Sequence, residues 1–176
     1  MKKLFPISAA VLALSLTAAA QHIAAPEVPD NLKAPAGEEV VLEAHAKGFQ
    51  IYSCQPGPDQ KLAWVLKAPD ADLFDAQGKN IGHHSAGPTW KLADGSEVTG
   101  KVAAKHDAPE ATAIPWLLLN VATHNGNGAL SRATSIQRIH TKGGQPDPAN
   151  ACDESKRGTE SKIPYSADYF FYAPSK

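Results

Sequence analysis

Thr89-Trp90-Lys91-Leu92-Ala93-Asp94-Gly95-Ser96-Glu97-Val98-Thr99-Gly100-Lys101-Val102 reads as a β-hairpin. Trp90 and Leu92 lead into Asp94-Gly95-Ser96, and Val98 with Val102 leads out. Asp-Gly supplies the positive backbone angles that a tight hairpin turn demands. Downstream, Ile114 to Ala122 is almost continuously apolar, with Pro115 near its start, where a strand tolerates proline. It reads as a buried central strand, with Trp116 as a core residue, closed by Asn125-Gly126-Asn127-Gly128. Thr134 to Thr141 is a further β-branched run, and Tyr165 to Tyr172 an aromatic one. Period-two alternation sets Tyr165, Tyr169 and Phe171 on one face and Phe170 with Tyr172 on the other.

Upstream, Val40, Leu42 and Ala44 alternate with more polar neighbours, as do Phe49, Ile51 and Ser53. Leu62 to Leu66 and Leu73-Phe74 follow, with turn signals at Ala68-Pro69-Asp70 and Gln77-Gly78-Lys79-Asn80. Glu38 to Ala46 taken alone fits helix or strand, and no segment carries a long helical period with caps at both ends. About nine or ten short strands at close spacing predict an all-β single domain, a sandwich or a barrel.

The N-terminus reads as an export signal over residues 1–20. Lys2 and Lys3 precede an apolar stretch from Leu4 to Leu16, and Ala18-Ala19-Ala20 offers small residues for cleavage. The stretch is short for a membrane span, and the absence of a nearby cysteine argues against a lipid anchor. Residues 21–37 hold three prolines and read as an extended arm, and residues 38–176 as the domain. With the leader removed, 15 basic side chains stand scattered among 18 acidic ones, which disfavours nucleic acid or anionic lipid as a partner. Cys54 and Cys152, the only cysteines, are expected to pair as a structural disulfide in an oxidising compartment. The bridge would tether the Gly/Pro-rich stretch from Gly143 to Thr159, read as a long exposed loop.

Several blocks together resemble an exported family of bacteria and filamentous fungi catalogued as domain of unknown function 3455. They are Gly48-Phe49-Gln50-Ile51-Tyr52-Ser53-Cys54, the Asp75…Gly78…Ile81-Gly82-His83-His84 run into Gly87-Pro88-Thr89-Trp90, and Asp94-Gly95-Ser96. Ile114-Pro115-Trp116-Leu117-Leu118, Ile136-Gln137-Arg138, Thr141-Lys142-Gly143-Gly144 and Tyr165…Tyr169-Phe170-Phe171-Tyr172 complete the resemblance. It implies no activity. Some fungal relatives carry a malate dehydrogenase label, which the residues do not support. The nearest dinucleotide-type turn, Gly126-Asn127-Gly128-Ala129-Leu130-Ser131, has serine at its third glycine. The residues after it are too few and too β-branched for the crossover helix. No cofactor is expected.

The site candidates centre on His83-His84-Ser85-Ala86-Gly87-Pro88-Thr89-Trp90. His83 and His84 would supply polar contacts and Trp90 a stacking surface for a small molecule, glycan or envelope partner. Trp64, Trp116, Tyr52, Tyr165, Tyr169 and Tyr172 are further aromatic candidates. A second reading makes His83 and His84 ligands of copper or zinc, although adjacent residues in a strand point to opposite faces. Cleavage after Ala19 would create another copper set, Ala20-Gln21-His22. A third reading is an extracytoplasmic enzyme. Asp70, Asp72 and Asp75, or Asp94 with Glu97, offer paired carboxylates, but no serine-nucleophile elbow occurs and catalytic residues stay unassigned.

Overall fold

The hairpin expected at Asp94 joins strand Thr89–Leu92 to strand Glu97–His106, with Trp90 opposite Val98. It is one of a continuous series of hairpins. The computed structural model describes residues 23–175; the expected export signal and the Ala20-Gln21-His22 set lie outside the described residues. The strands are β1 (Glu38–Pro56), β2 (Leu62–Phe74), β3 (Asn80–Ser85), β4 (Thr89–Leu92), β5 (Glu97–His106), β6 (Trp116–Asn125), β7 (Ser135–Gly143) and β8 (Glu160–Pro174). Each pairs antiparallel with the next, and β8 returns to β1, from Glu38 opposite Pro174 to Ser53 opposite Glu160. The result is a closed eight-stranded up-and-down barrel. Closure removes the free edges that would otherwise invite pairing with another chain.

Eight strands replace the expected nine or ten because β1 and β2 each unite two runs read as separate. Gly48 does not break β1. A Cβ there would lie 2.2 Å from the Asp70 carbonyl oxygen and 2.5 Å from the Ala71 Cα, so the glycine lets two backbones crowd together. Nor is Ala68-Pro69-Asp70 a turn. Pro69 sits within β2 opposite Gln50, beyond Ala71, where pairing with the short β3 ends. One side of β2 is unpaired there, so the missing proline N–H breaks no ladder on that side.

Both faces of β8 are buried. Tyr165, Ala167, Tyr169 and Phe171 join Trp90, Leu119 and Ile136 inside the barrel. Phe170 and Tyr172 pack outside with Val40 and Ile139, and Ile23, Val28 and Ala34 lie against them. The segment before β1 therefore covers the outer face of the sheet. Its 3-10 turn, Asp30–Leu32, buries Leu32 completely, and the Gln137 side-chain amide donates to the Leu32 carbonyl at 2.7 Å. Trp116 belongs to this outer layer, not to the barrel core. Alternation along β6 turns Leu119 inward and leaves Trp116 outside, edge-on to His140. The run is apolar throughout because each of its faces has a cover.

Cys54 and Cys152 form a disulfide with a Cα–Cα distance of 5.5 Å, closing a sequence separation of 98 residues. The bridge draws the Gly143–Thr159 stretch onto β1, where the backbone of Cys54 also bonds with Gly158 and Thr159. The opposite end of the barrel is shut by the β6–β7 connection, whose Leu130 is fully buried. The Asp94 carboxylate holds that connection in place, accepting from the Ala129 amide at 2.8 Å and from the Ser96 amide and hydroxyl at 2.8 and 2.6 Å. These donors, the Ala129 amide foremost, hold the Asp94 carboxyl below its usual range. The Gly126–Ser131 segment is thus part of a strand-to-strand connection. No described helix is long and apolar enough to cross a membrane.

Candidate functional site

The end opposite Leu130 opens into a cavity of about 270 Å³, and all eight strands contribute to its wall. An antiparallel strand turns every second side chain inward. On β1 that places Ala44, Ala46, Gln50, Tyr52 and Cys54 in one buried series, so Gln50 is a polar residue on an otherwise mostly apolar inner face. On β7 the same rule puts Arg138 two positions from Ile136, facing the lumen. Leu66, Val102 and Leu117 supply an apolar rim, and the first two are about half exposed.

His84 and Trp90 both line this cavity, at 2% and 1% exposure. They face each other across the β3–β4 pair and stack with ring centroids 4.4 Å apart and 12° between planes. Tyr169 closes edge-on against both rings, at 5.1 and 5.4 Å. His84 Nδ1 lies 2.9 Å from the Thr89 carbonyl oxygen. A carbonyl only accepts, so Nδ1 carries the hydrogen and Nε2 keeps its lone pair. Burial pushes the imidazole down to about 3, against the weaker upward pull of the Thr89 bond.

His83 points the other way. Its Nε2 and Nδ1 each lie 3.2 Å from a carboxylate oxygen, of Asp70 and Asp72 respectively, on the outer surface. Asp70 and Asp72 do share a face, as expected for positions i and i+2. His83 and His84 are therefore not brought together, and the pair cannot meet at one ion. Among the described residues no group of three or more His, Cys, Asp or Glu side chains is arranged to hold a metal. A second surface cluster has Asp168 between two imidazoles, with His45 Nδ1 at 2.7 Å and His140 Nδ1 at 2.8 Å. Trp64 donates to the Asn150 carbonyl at 2.7 Å, and Tyr52 to that of Gly144 at 2.7 Å. Neither lines the cavity.

The depressed His84 value has a measurable consequence. Below about pH 6.5 the unfolded chain takes up a proton at this histidine that the folded chain refuses until about pH 3. Stability contributed by neutral His84 is thus complete above pH 6.5 and falls as the pH drops through that window, at most by about 1.4 kcal/mol per pH unit. Urea unfolding of wild type and His84→Gln at pH 7 and pH 4.5 is expected to show a shallower acid loss in the variant. Equal losses would remove His84 from the acid response.

The remaining polar atoms of the cavity were not legible one by one. The Gln50 amide nitrogen, the Trp90 indole N–H and the Tyr169 hydroxyl are buried without a hydrogen-bond partner among the described residues. Tyr165, whose hydroxyl is likewise unpaired, lies beside Gln50 and Tyr169, and burial pushes both phenols up, so they stay neutral. Leaving such a group unsatisfied costs about 1–3 kcal/mol. Three such atoms lie in one cavity wall.

The barrel is closed, and its open mouth is mostly apolar with polar side chains at the floor. The chain belongs to the family described as protein of unknown function DUF3455, whose model matches residues 35–173, from the covering segment to the last strand. Neither a curated protein nor a solved structure matches the chain.

Proposed function

We propose that this chain is an exported, non-catalytic binding protein that takes a small, largely apolar molecule into the mouth of its barrel. The observation that carries the reading is the convergence of all eight strands on one cavity whose buried donors from Gln50, Trp90 and Tyr169 lack partners. Of the residues singled out in the sequence, His84, Trp90 and Tyr169 line the cavity and His83 does not. The disulfide supports export, since such bridges persist in oxidising compartments.

The three tryptophans provide the test. Trp90 lies in the cavity wall, Trp64 on the loop side and Trp116 beneath the covering segment. In ¹⁵N-labelled protein, titration with octan-1-ol or octanoate is expected to move the Trp90 indole N–H resonance and leave the other two in place. Val102→Tyr, which fills the mouth, is expected to suppress the shift. If Trp90 stays still with both compounds, or all three indoles move alike, the cavity is not a binding site.

A further inference from the structure

The charges and donors of the cavity name a ligand class more narrowly than its shape does. Among the described residues the charged side chains in its wall are two cations, Lys67 and Arg138, and no carboxylate contributes. Lys67 is paired at the rim with Glu160. Arg138 has no carboxylate within 4 Å among the described residues. Its Nε and Nη2 both donate to the Pro115 carbonyl, at 3.2 and 2.8 Å, which fixes the guanidinium without neutralising it. Among the described residues Nη1 makes no hydrogen bond, although the guanidinium lies close enough to the Tyr169 hydroxyl to pull against the upward push of burial on that phenol.

A half-buried guanidinium without a counter-charge is unusual, because charges withdrawn from water are generally paired. The neutral polar groups around it have the same sense. Gln50 Nε2 and Trp90 Nε1 are donors without an acceptor among the described residues, and the Tyr169 hydroxyl can donate as well as accept. The complement of that set is an acceptor-rich anion. Arginine suits carboxylate oxygens through its planar fork, and charge-assisted bonds are roughly twice as strong as neutral ones. Leu66, Val102 and Leu117 above the floor ask for an apolar body. At about 30 Å³ per water molecule the cavity has room for on the order of ten non-hydrogen atoms.

We infer that the ligand of the barrel mouth is a small monocarboxylate with an apolar body, its head held by Arg138 with the buried donors of Gln50, Trp90 and Tyr169. This rests on the proposed binding function and specifies its substrate class.

Octanoate and octan-1-ol, near-equal in length and differing in charge, separate the two claims. At pH 7.5, titrations followed at the Trp90 indole N–H are expected to give octanoate a dissociation constant at least tenfold lower. Arg138→Met is expected to bring the two within about twofold of each other with octan-1-ol binding retained, and Arg138→Lys to fall between. Should Arg138→Met not fold, the wild-type ratio and the lysine variant decide. Equal binding of acid and alcohol to wild type overturns the anion inference and leaves the cavity reading standing. An acid preference that persists in Arg138→Met overturns the role given to Arg138. No response to either compound overturns the function and the inference together.

Discussion

Trp90→Ala is expected to lower the free energy of unfolding by about 3–5 kcal/mol, the usual cost of emptying a buried aromatic site. Trp90 is 1% exposed and lies at the meeting point of His84, Tyr169 and Phe171. Its ring also presses on the backbone of the neighbouring strand, β5. A Cβ on Gly100 would come within 2.9 Å of Trp90 Cζ3, so the glycine leaves space for the indole. Removing the ring strips the stack from His84 and extends an existing cavity, and a barrel closed by hydrogen bonds all round has little freedom to collapse into the gap. The check is the midpoint of urea unfolding at constant slope, since a large change in slope would report a different denatured state. A cost below about 1 kcal/mol would mean that the aromatic stack is peripheral to stability.

Cys54→Ser with Cys152→Ser is expected to cost about 3 kcal/mol. The chain-entropy account gives about 4.7 kcal/mol for a loop of roughly 100 residues, and measured values usually fall below it; the loop here spans 98. Wild type unfolded in a reducing buffer is expected to match the double variant. The local effect is separable from the global one. The stretch between β7 and β8 has little buried apolar surface and is otherwise held by hydrogen bonds, among them the Trp64–Asn150 bond, those of Gln145 to the Thr112 and Ala113 carbonyls, and the Cys54–Gly158 and Cys54–Thr159 backbone bonds. Limited proteolysis of the variant is expected to cut between residues 145 and 158 before it cuts any strand. First cuts elsewhere would mean that the bridge stabilises the barrel as a whole and not this loop.

Local signals carried the fold well. Asp94-Gly95-Ser96 announces its hairpin, and the spacing of turn residues announces a meander of strands, because both depend on backbone preferences within a few residues. The count, eight strands against nine or ten expected, came close, and the difference arises where a glycine or proline normally interrupts a strand. Gly48 and Pro69 do not, since one sits at a close approach and the other beyond the end of β3. Trp116 was misplaced for a related reason. An apolar run gives no clue to which side is inward when the segment around Leu32 covers the outer side as well.

The site was legible only in part. Alternation separates His83 from His84, yet nothing local states which of them meets the lumen. Gln50 and Arg138 left a trace: each is a polar residue in phase with apolar neighbours, Gln50 with Ala44 and Ala46, Arg138 with Ile136. That trace acquires meaning only when strands from both ends of the chain are brought round to the same opening.

Barrel closure through β1 and β8 also gives the molecule a direction. The first strand begins and the last strand ends side by side, Glu38 against Pro174, at the pole sealed by Leu130 and away from the cavity mouth. Ile23, bridged to Val40, brings the preceding segment to that same pole. The described chain therefore enters and leaves at one pole, a handle on the side away from the opening.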